Sequence, residues 1–165
     1  MKELLLQYAM FNHWANQRIS YEIMGMDENL HQQLVKSSFP NLYATMLHLW
    51  DVESAWYQRI HGHEQIMMPS KNFNPNMKET INGLLNQSQQ WIHHIQSISE
   101  TDLQGMISYK NMAGVPYTEH LFQLMLHLFN HQTYHRGQLV TMMRELGEEK
   151  FSSTDFITWV RENGY

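Results

Sequence analysis

The sequence predicts an all-α protein: an antiparallel four-helix bundle with a small hairpin-like connection before the last long helix and a short C-terminal helix. Four long segments repeat their apolar residues at helical intervals. The segments are joined by connections of medium length, and strand-like alternation is confined to one short stretch. Because 165 residues make one ordinary domain, we expect a single bundle domain over residues 1–165.

Polar connections separate the first helix from the second and the second from the third. The first helix is predicted over residues 2 to about 26, followed by the turn-like DENLHQQLVKSS. Pro40 is placed in the first turn of the second helix, which runs to Gly62. Residues 62–76 hold two Pro and several Asn, which predicts little regular structure. The third helix should then run from about 76 to 98.

The stretch MISYKNMAGVPYTEH has the alternating character of a small hairpin. Thr118 is predicted as the N-cap of the fourth long helix, residues 119–146, which ends at Gly147. A short closing helix is predicted over residues 154–162.

Charge and composition limit the partners that we expect. Lys and Arg total 11 against 16 Asp and Glu, a formal balance of −5, and no stretch concentrates basic residues. This disfavours a nucleic-acid partner. The chain has no Cys, so any metal must be held by imidazole, carboxylate or water. The N-terminus lacks the pattern of a signal peptide and no window is apolar enough to cross a bilayer, so we expect a soluble, cytoplasmic protein without membrane partners.

Three histidines near the C-terminal end carry the strongest chemical signal. His127, His131 and His135 follow one another at four-residue steps in HLFNHQTYHRGQL. Each step advances about 400° around an α-helix, so the imidazoles lie along nearly one face. His131 and His135 can close on one metal ion. The HExxH motif is absent, so the pair lacks a built-in general base and needs a third ligand. His127 fits a ligand, a hydrogen-bond donor to a ligand, or a core histidine.

His48 is the candidate for that third ligand. It lies in the second helix on the stripe of Ala44, Val52 and Ala55, which we expect to face inward. If the second and fourth helices are neighbours, His48 meets His131 and His135 across the interior. Three neutral nitrogens with open positions are typical of catalytic zinc sites. The alternative is a core histidine bonded to a backbone carbonyl or to Asp51.

The other candidates have more ordinary interpretations. Trp14 and Trp50 fit the core better than a pocket wall. Arg136 points about 100° away from His135 and suits a carboxylate, a ligand or a surface salt bridge. The remaining histidines in turns or on polar faces are expected to be solvated: His31, His61, His63, His93 and His94.

Several segments together resemble the DinB-like family of metal-binding helical bundles. The matching segments are FNHWANQRI, TMLHLWDVESAWYQRIHG, ISYKNMAGVPYTEHLFQLMLHLFNHQTYHRGQL and GEEKFSSTDFITWV. The resemblance implies a divalent metal, zinc or nickel, held by His48, His131 and His135 at the floor of an open cleft. It also implies a homodimer and a role in stress responses. Many relatives carry another His at the position of Tyr134. This difference affects the residues around the three histidines and leaves the three ligands themselves unchanged.

Relatives include thiol transferases that use bacillithiol-type thiols and a mycothiol-dependent isomerase. The resemblance therefore favours transfer of a low-molecular-weight thiol to a small electrophile, with the ion lowering the pKa of the thiol. The alternatives are a metal-dependent hydrolase, with Asp51 or Glu53 moving the proton, and a non-enzymatic, stress-induced metal-binding protein. No catalytic residue is assigned, and the candidates around the metal are Asp51, Glu53, Asn130, Tyr134 and Arg136.

Overall fold

A computed structural model describes all 165 residues and confirms the all-α class. The helices are α1 (Lys2–Gly25), α2 (Leu42–Ile60), α3 (Pro69–Asn72), α4 (Met77–Ser97), α5 (Glu100–Leu103), α6 (Leu121–Glu145) and α7 (Phe156–Asn163). Strands β1 (Met106–Lys110) and β2 (Pro116–His120) pair antiparallel in the predicted hairpin. No helix combines the length and the apolar character needed to cross a membrane.

The four long helices α1, α2, α4 and α6 pack so that α1 and α2 each contact both α4 and α6. The predicted antiparallel arrangement holds for two of the four neighbouring pairs. In α1 and α4, Lys2 Nζ donates to Gln96 O near one end, whereas Asn16 donates to Ser88 further along. In α2 and α6, Thr45 meets Met142, whereas further along α2 Trp56 packs on His127, which lies earlier in α6.

The other two pairs run parallel, which corrects the uniformly antiparallel expectation. Tyr8 packs on Phe129, and eight residues later in α1 Asn16 meets Arg136 of α6. Trp50 lies on Gly83, and further along both helices Tyr57 packs on Trp91. The connections allow this because residues 61–76 are long enough to return the chain to the opposite end of the bundle.

Helix boundaries follow side-chain caps more than the proline and threonine signals suggest. Asn41 accepts the backbone N–H of Ala44 at 2.8 Å, so α2 begins after Pro40 instead of containing it. His120, and not Thr118, precedes the first residue of α6. Thr118 lies in β2, with its hydroxyl 2.9 Å from that of Ser108 across the hairpin. The hairpin thus extends to the helix itself.

Two connections contain more structure than the sequence predicts. The segment after α1 forms a short 3₁₀ helix, Glu28–Gln32, and residues 62–76 contain α3. His31, expected to be solvated, is buried, and its Nε2 lies 2.9 Å from Ile23 O. The Ile23 carbonyl near the end of α1, which also accepts the backbone N–H of Met26, therefore gains a second partner.

The apolar core has two large clusters, one at each end of the bundle, and a small third cluster of Phe11, Ala15 and Trp159 between α1 and α7. One cluster groups Leu5 with Trp91 and Phe129, and the other groups Ile19 with Leu49. Between them lies a layer of buried polar side chains, which we call the central polar layer: Asn12, Asn16, Glu53, Ser88 and Arg136.

Candidate metal centre

His48, His131 and His135 converge between α2 and α6. One ring nitrogen from each lies within 4.8 Å of the corresponding nitrogens of the other two. His131 and His135 are the closest, with 3.2 Å between their Nε2 atoms. Helices α2 and α6 pack antiparallel, and this packing brings His48 next to His131, although the two are 83 positions apart in the sequence (131 minus 48).

The proton on His135 is fixed by its neighbours. Its Nδ1 lies 2.7 Å from Gln138 Oε1, while Gln138 Nε2 donates to Ser38 Oγ at 2.7 Å. With the amide oxygen facing the imidazole, Nδ1 is the donor to Gln138. The lone pair of His135 is then on Nε2, facing the other two rings. A hydrogen bond to the distal nitrogen is the usual way in which proteins orient a metal-binding histidine.

Burial keeps these imidazoles neutral. It lowers the pKa of His48 to about 4, with a further contribution from His135. It also lowers the pKa of His131 to about 4, helped by repulsion from His135, His48 and His127. Burial lowers the pKa of His135, although the bond to Gln138 opposes the shift. Neutral imidazole is the form that donates an electron pair to a metal.

The arrangement fits a divalent cation. Two nitrogens bound to one zinc ion at about 2.0–2.1 Å are separated by roughly 3.0–3.4 Å, and the His131 and His135 nitrogens are 3.2 Å apart. Two lone pairs facing each other at this distance repel unless a proton or a cation lies between them. Imidazole donors suit zinc, nickel and copper.

The surroundings are apolar on one side and open on another. The Phe39 ring lies 4.3 Å from the His48 ring, centre to centre, and covers it. His135 is 5% exposed, whereas Tyr134 is 60% exposed and sets its ring 4.9 Å from that of His135. His127 is exposed, and its ring centre lies 6.0 Å from that of His131. His127 therefore lies beside the three converging nitrogens, on the open side.

The two carboxylates suggested as proton carriers are engaged elsewhere. Asp51 accepts the backbone N–H of Ser70 at 2.9 Å. Glu53 is fully buried in the central polar layer, where it accepts hydrogen bonds from Asn12, Asn16 and Ser88. Both carboxylates therefore form hydrogen bonds that hold other segments of the fold in place. Asn130 is exposed on α6.

Arg136 also belongs to the central polar layer, not to the open side of the site. Its Nη1 donates to Asn12 Oδ1 at 2.6 Å and to Asn16 Oδ1 at 2.9 Å, and its Nη2 donates to Thr133. Arg136 follows His135 directly, so this anchoring fixes the backbone that carries a candidate ligand. The sequence interpretation, a carboxylate partner, a ligand contact or a surface salt bridge, was wrong: the buried guanidinium donates to two amide oxygens and a hydroxyl.

Some residues that shape the site gave no usable sequence signal. Phe39 and Ser38 reach it from the connection before α2, whose path depends on tertiary packing. Gln138 lies three residues after His135, about one helical turn away. This spacing alone could have predicted that the two side chains are in contact.

Three histidines converging between two helices of a four-helix bundle define a class of protein, the helical bundle with a candidate metal centre. Within that class, the chain belongs to the DinB family, whose profile matches residues 1–162. It is 22% identical to Protein DinB of Bacillus subtilis (strain 168) over 156 residues, covering 89% of this chain and 88% of that protein. It is 28% identical to the uncharacterized protein YizA of the same organism over 110 residues, covering 64% of this chain and 65% of that one.

Proposed function

We propose that the protein binds a divalent metal ion, zinc or nickel, through His48, His131 and His135 and transfers a low-molecular-weight thiol of the bacillithiol type to a small electrophile. The convergence of three imidazole nitrogens within 4.8 Å supports the metal site. The bound ion would supply a positive charge that lowers the pKa of a thiol at the open side.

The side chains around the site support a cosubstrate as the source of the nucleophile. The chain has no Cys, so no protein thiol can attack. Asp51 and Glu53 are bonded elsewhere, so neither is positioned as the base that a hydrolase would use on water. A thiol brought in as cosubstrate needs no such carboxylate.

Each residue at the site has a physical role in this proposal. Gln138 holds the His135 ring in one tautomer, and Phe39 shields His48 from water on its apolar side. His127 is exposed next to His131, and in this proposal it accepts the proton that the thiol releases. Tyr134 is exposed at the edge of the site, where its hydroxyl is available to a substrate.

Metal content tests the site first. The protein, purified without a histidine tag, should carry close to one zinc or nickel per chain by elemental analysis, and His131→Ala should lose most of it. His93→Ala is the matched control, because His93 lies exposed on α4 and should leave the metal content unchanged. Equal metal content in wild type and His131→Ala would rule out the triad as the binding site.

The reaction is tested separately with cobalt-substituted protein. Bacillithiol should produce a sulfur-to-metal absorption band that is missing in His135→Ala, and turnover of an electrophile should require both the thiol and the metal. His127→Gln should keep the metal but slow turnover. Cleavage of esters without any thiol would favour the hydrolase, and binding of metal with neither reaction would favour a non-enzymatic role.

A cytoplasmic homodimer active in stress responses is part of the same proposal.

A further inference from the structure

Arg59, near the C-terminal end of α2, has no carboxylate partner for its positive charge, which the last turn of the helix and two neighbouring rings offset only in part. It is half-buried, forms neither a salt bridge nor a side-chain hydrogen bond, and its Nε is buried without a partner. Burial lowers the pKa of Arg59 from its ordinary value, yet arginine stays protonated in proteins. A partly desolvated cation without an acceptor is costly, so its position calls for an explanation.

Aromatic rings fix the orientation of this guanidinium. Arg59 Cζ lies 4.7 Å from the centre of the Trp56 ring and 5.6 Å from that of Tyr109, and these two rings meet edge to face at 5.0 Å. Stacking of this kind holds the planar fork in place and leaves its N–H groups free to bond. The fork is thus ordered before any ligand arrives, which reduces the entropy cost of binding.

The guanidinium lines a concave space between the end of α2 and the hairpin. This cavity has a volume of about 670 Å³, within the usual range for small-molecule sites. Gly62 shapes its floor, because its φ of 75° turns the chain sharply after α2. Lys110 adds a second positive charge from β1, and Glu64 is the single carboxylate in the lining. Glu64 is exposed and makes no ion pair with Arg59.

The cavity is linked to the candidate metal centre by a row of rings. From His131 the centres step 6.0 Å to His127 and 5.5 Å to Trp56, whose ring lies 4.7 Å from Arg59 Cζ. The guanidinium is therefore at most about 16 Å from His131, and a fully extended chain of about five residues spans this upper limit.

We propose that Arg59, with Lys110, forms a subsite for an oxyanion, the carboxylate or phosphate of a small molecule whose other end reaches the metal centre. The guanidinium donates paired N–H bonds to two oxygens of this group, as arginine does with either oxyanion. Linking the subsite to the metal rests on the proposed function, whereas oxyanion binding does not.

Calorimetric titration at physiological ionic strength tests the subsite, with succinate and methyl phosphate as separate probes. At least one should bind the wild type, and Arg59→Met should weaken that binding at least tenfold, because a charge-assisted bidentate contact is lost. Whichever probe binds identifies carboxylate or phosphate as the preferred group. Arg161→Met is the control: Arg161 is exposed on α7 and should leave affinity within twofold.

Two further variants keep the result decisive. Arg59→Lys retains the charge and the apolar stem but lacks the planar guanidinium, so it should bind the oxyanion more weakly than wild type. This comparison remains available if thermal melting shows that Arg59→Met does not fold. In His131→Ala, oxyanion binding should persist, which separates the subsite from the metal site. If wild type binds neither probe at millimolar concentration, or Arg59→Lys binds as well as wild type, the subsite proposal is wrong, whatever the metal content shows.

Discussion

Arg136 and Glu53 are both buried, at 2% and 0% exposure, and they are joined through Asn12 and Asn16 instead of contacting each other directly. Each asparagine presents its amide oxygen to the guanidinium and its amide nitrogen to the carboxylate. The opposite charges are thus connected by aligned amide dipoles. This arrangement links α1, α2 and α6 at mid-height.

Arg136→Leu should destabilise the fold strongly at about pH 8, where Glu53 is ionised, because it leaves two amide oxygens without donors and the Glu53 carboxylate without a compensating charge. We expect a loss of about 3–5 kcal/mol in the free energy of unfolding, measured by urea denaturation. Arg161→Leu, on the exposed face of α7, should change it by less than about 0.5 kcal/mol. Similar losses for both variants would contradict the importance of the central polar layer.

The pH dependence of stability should carry the signature of Glu53. Burial raises its pKa to about 7 even though hydrogen bonds from Asn12 and Ser88 and the charge of Arg136 lower it. The unfolded chain loses this proton near about 4.3. Between these values the folded protein holds a proton that the unfolded chain has released, so the free energy of unfolding falls as pH rises through this window.

Glu53→Gln removes this contribution and supplies the comparison. Relative to wild type, its free energy of unfolding should rise by roughly 2–3 kcal/mol between about pH 5 and about pH 8. Both proteins are measured with a chelator, so that metal binding adds no pH dependence, and the histidines contribute equally to both. A constant difference across this range would show that Glu53 titrates normally.

Gly83 should tolerate no side chain, because the Trp50 ring lies on the backbone of α4 at this point. An added Cβ would come within 2.3 Å of the indole. Gly83→Ala should therefore cost about 1–3 kcal/mol in the free energy of unfolding. Gly137→Ala is the matched control in the middle of α6, with nothing within 4 Å of its added Cβ, and it should stabilise the protein by about 0.5–1 kcal/mol. Thermal or urea unfolding distinguishes the two signs.

Gln138→Leu should weaken metal binding without removing it, since it takes away the acceptor that orients His135. We expect a loss of about 10–100-fold in affinity, measured by competition with a chromophoric chelator. Gln17→Leu, on the exposed face of α1, should leave affinity unchanged. If Gln138→Leu retains full affinity, the hydrogen bond has no influence on the ligand.

Periodicity and spacing were sufficient to predict much of the architecture and the three histidines. Apolar spacing predicts helices well because burial of one face decides whether a helix forms. It could not predict that α1 and α6 run parallel, which depends on where long connections lead. The i, i+4 spacing of His131 and His135 guarantees their proximity, whereas their meeting with His48 depends on which helices are neighbours.

The sequence interpretation was least successful for polar residues between apolar ones. The sequence suggests Glu53 as a proton carrier because it lies near His48 in the second helix, but its bonds to Asn12 and Ser88 show a structural role. His31 reads as solvated because its segment is polar, although a single backbone carbonyl at the end of α1 holds it inside. Such contacts join positions that no short-range pattern connects.

The separation of His48 from His131 along the chain determines when a metal can act during folding. They are separated by 83 positions (131 minus 48), so their approach carries the full entropic cost of closing a long loop. The three histidines converge only after α2 and α6 have docked. An ion can therefore bind all three ligands only in the folded protein. Such an ion should prolong the lifetime of the native state by slowing its unfolding and should leave the rate of the initial docking unchanged.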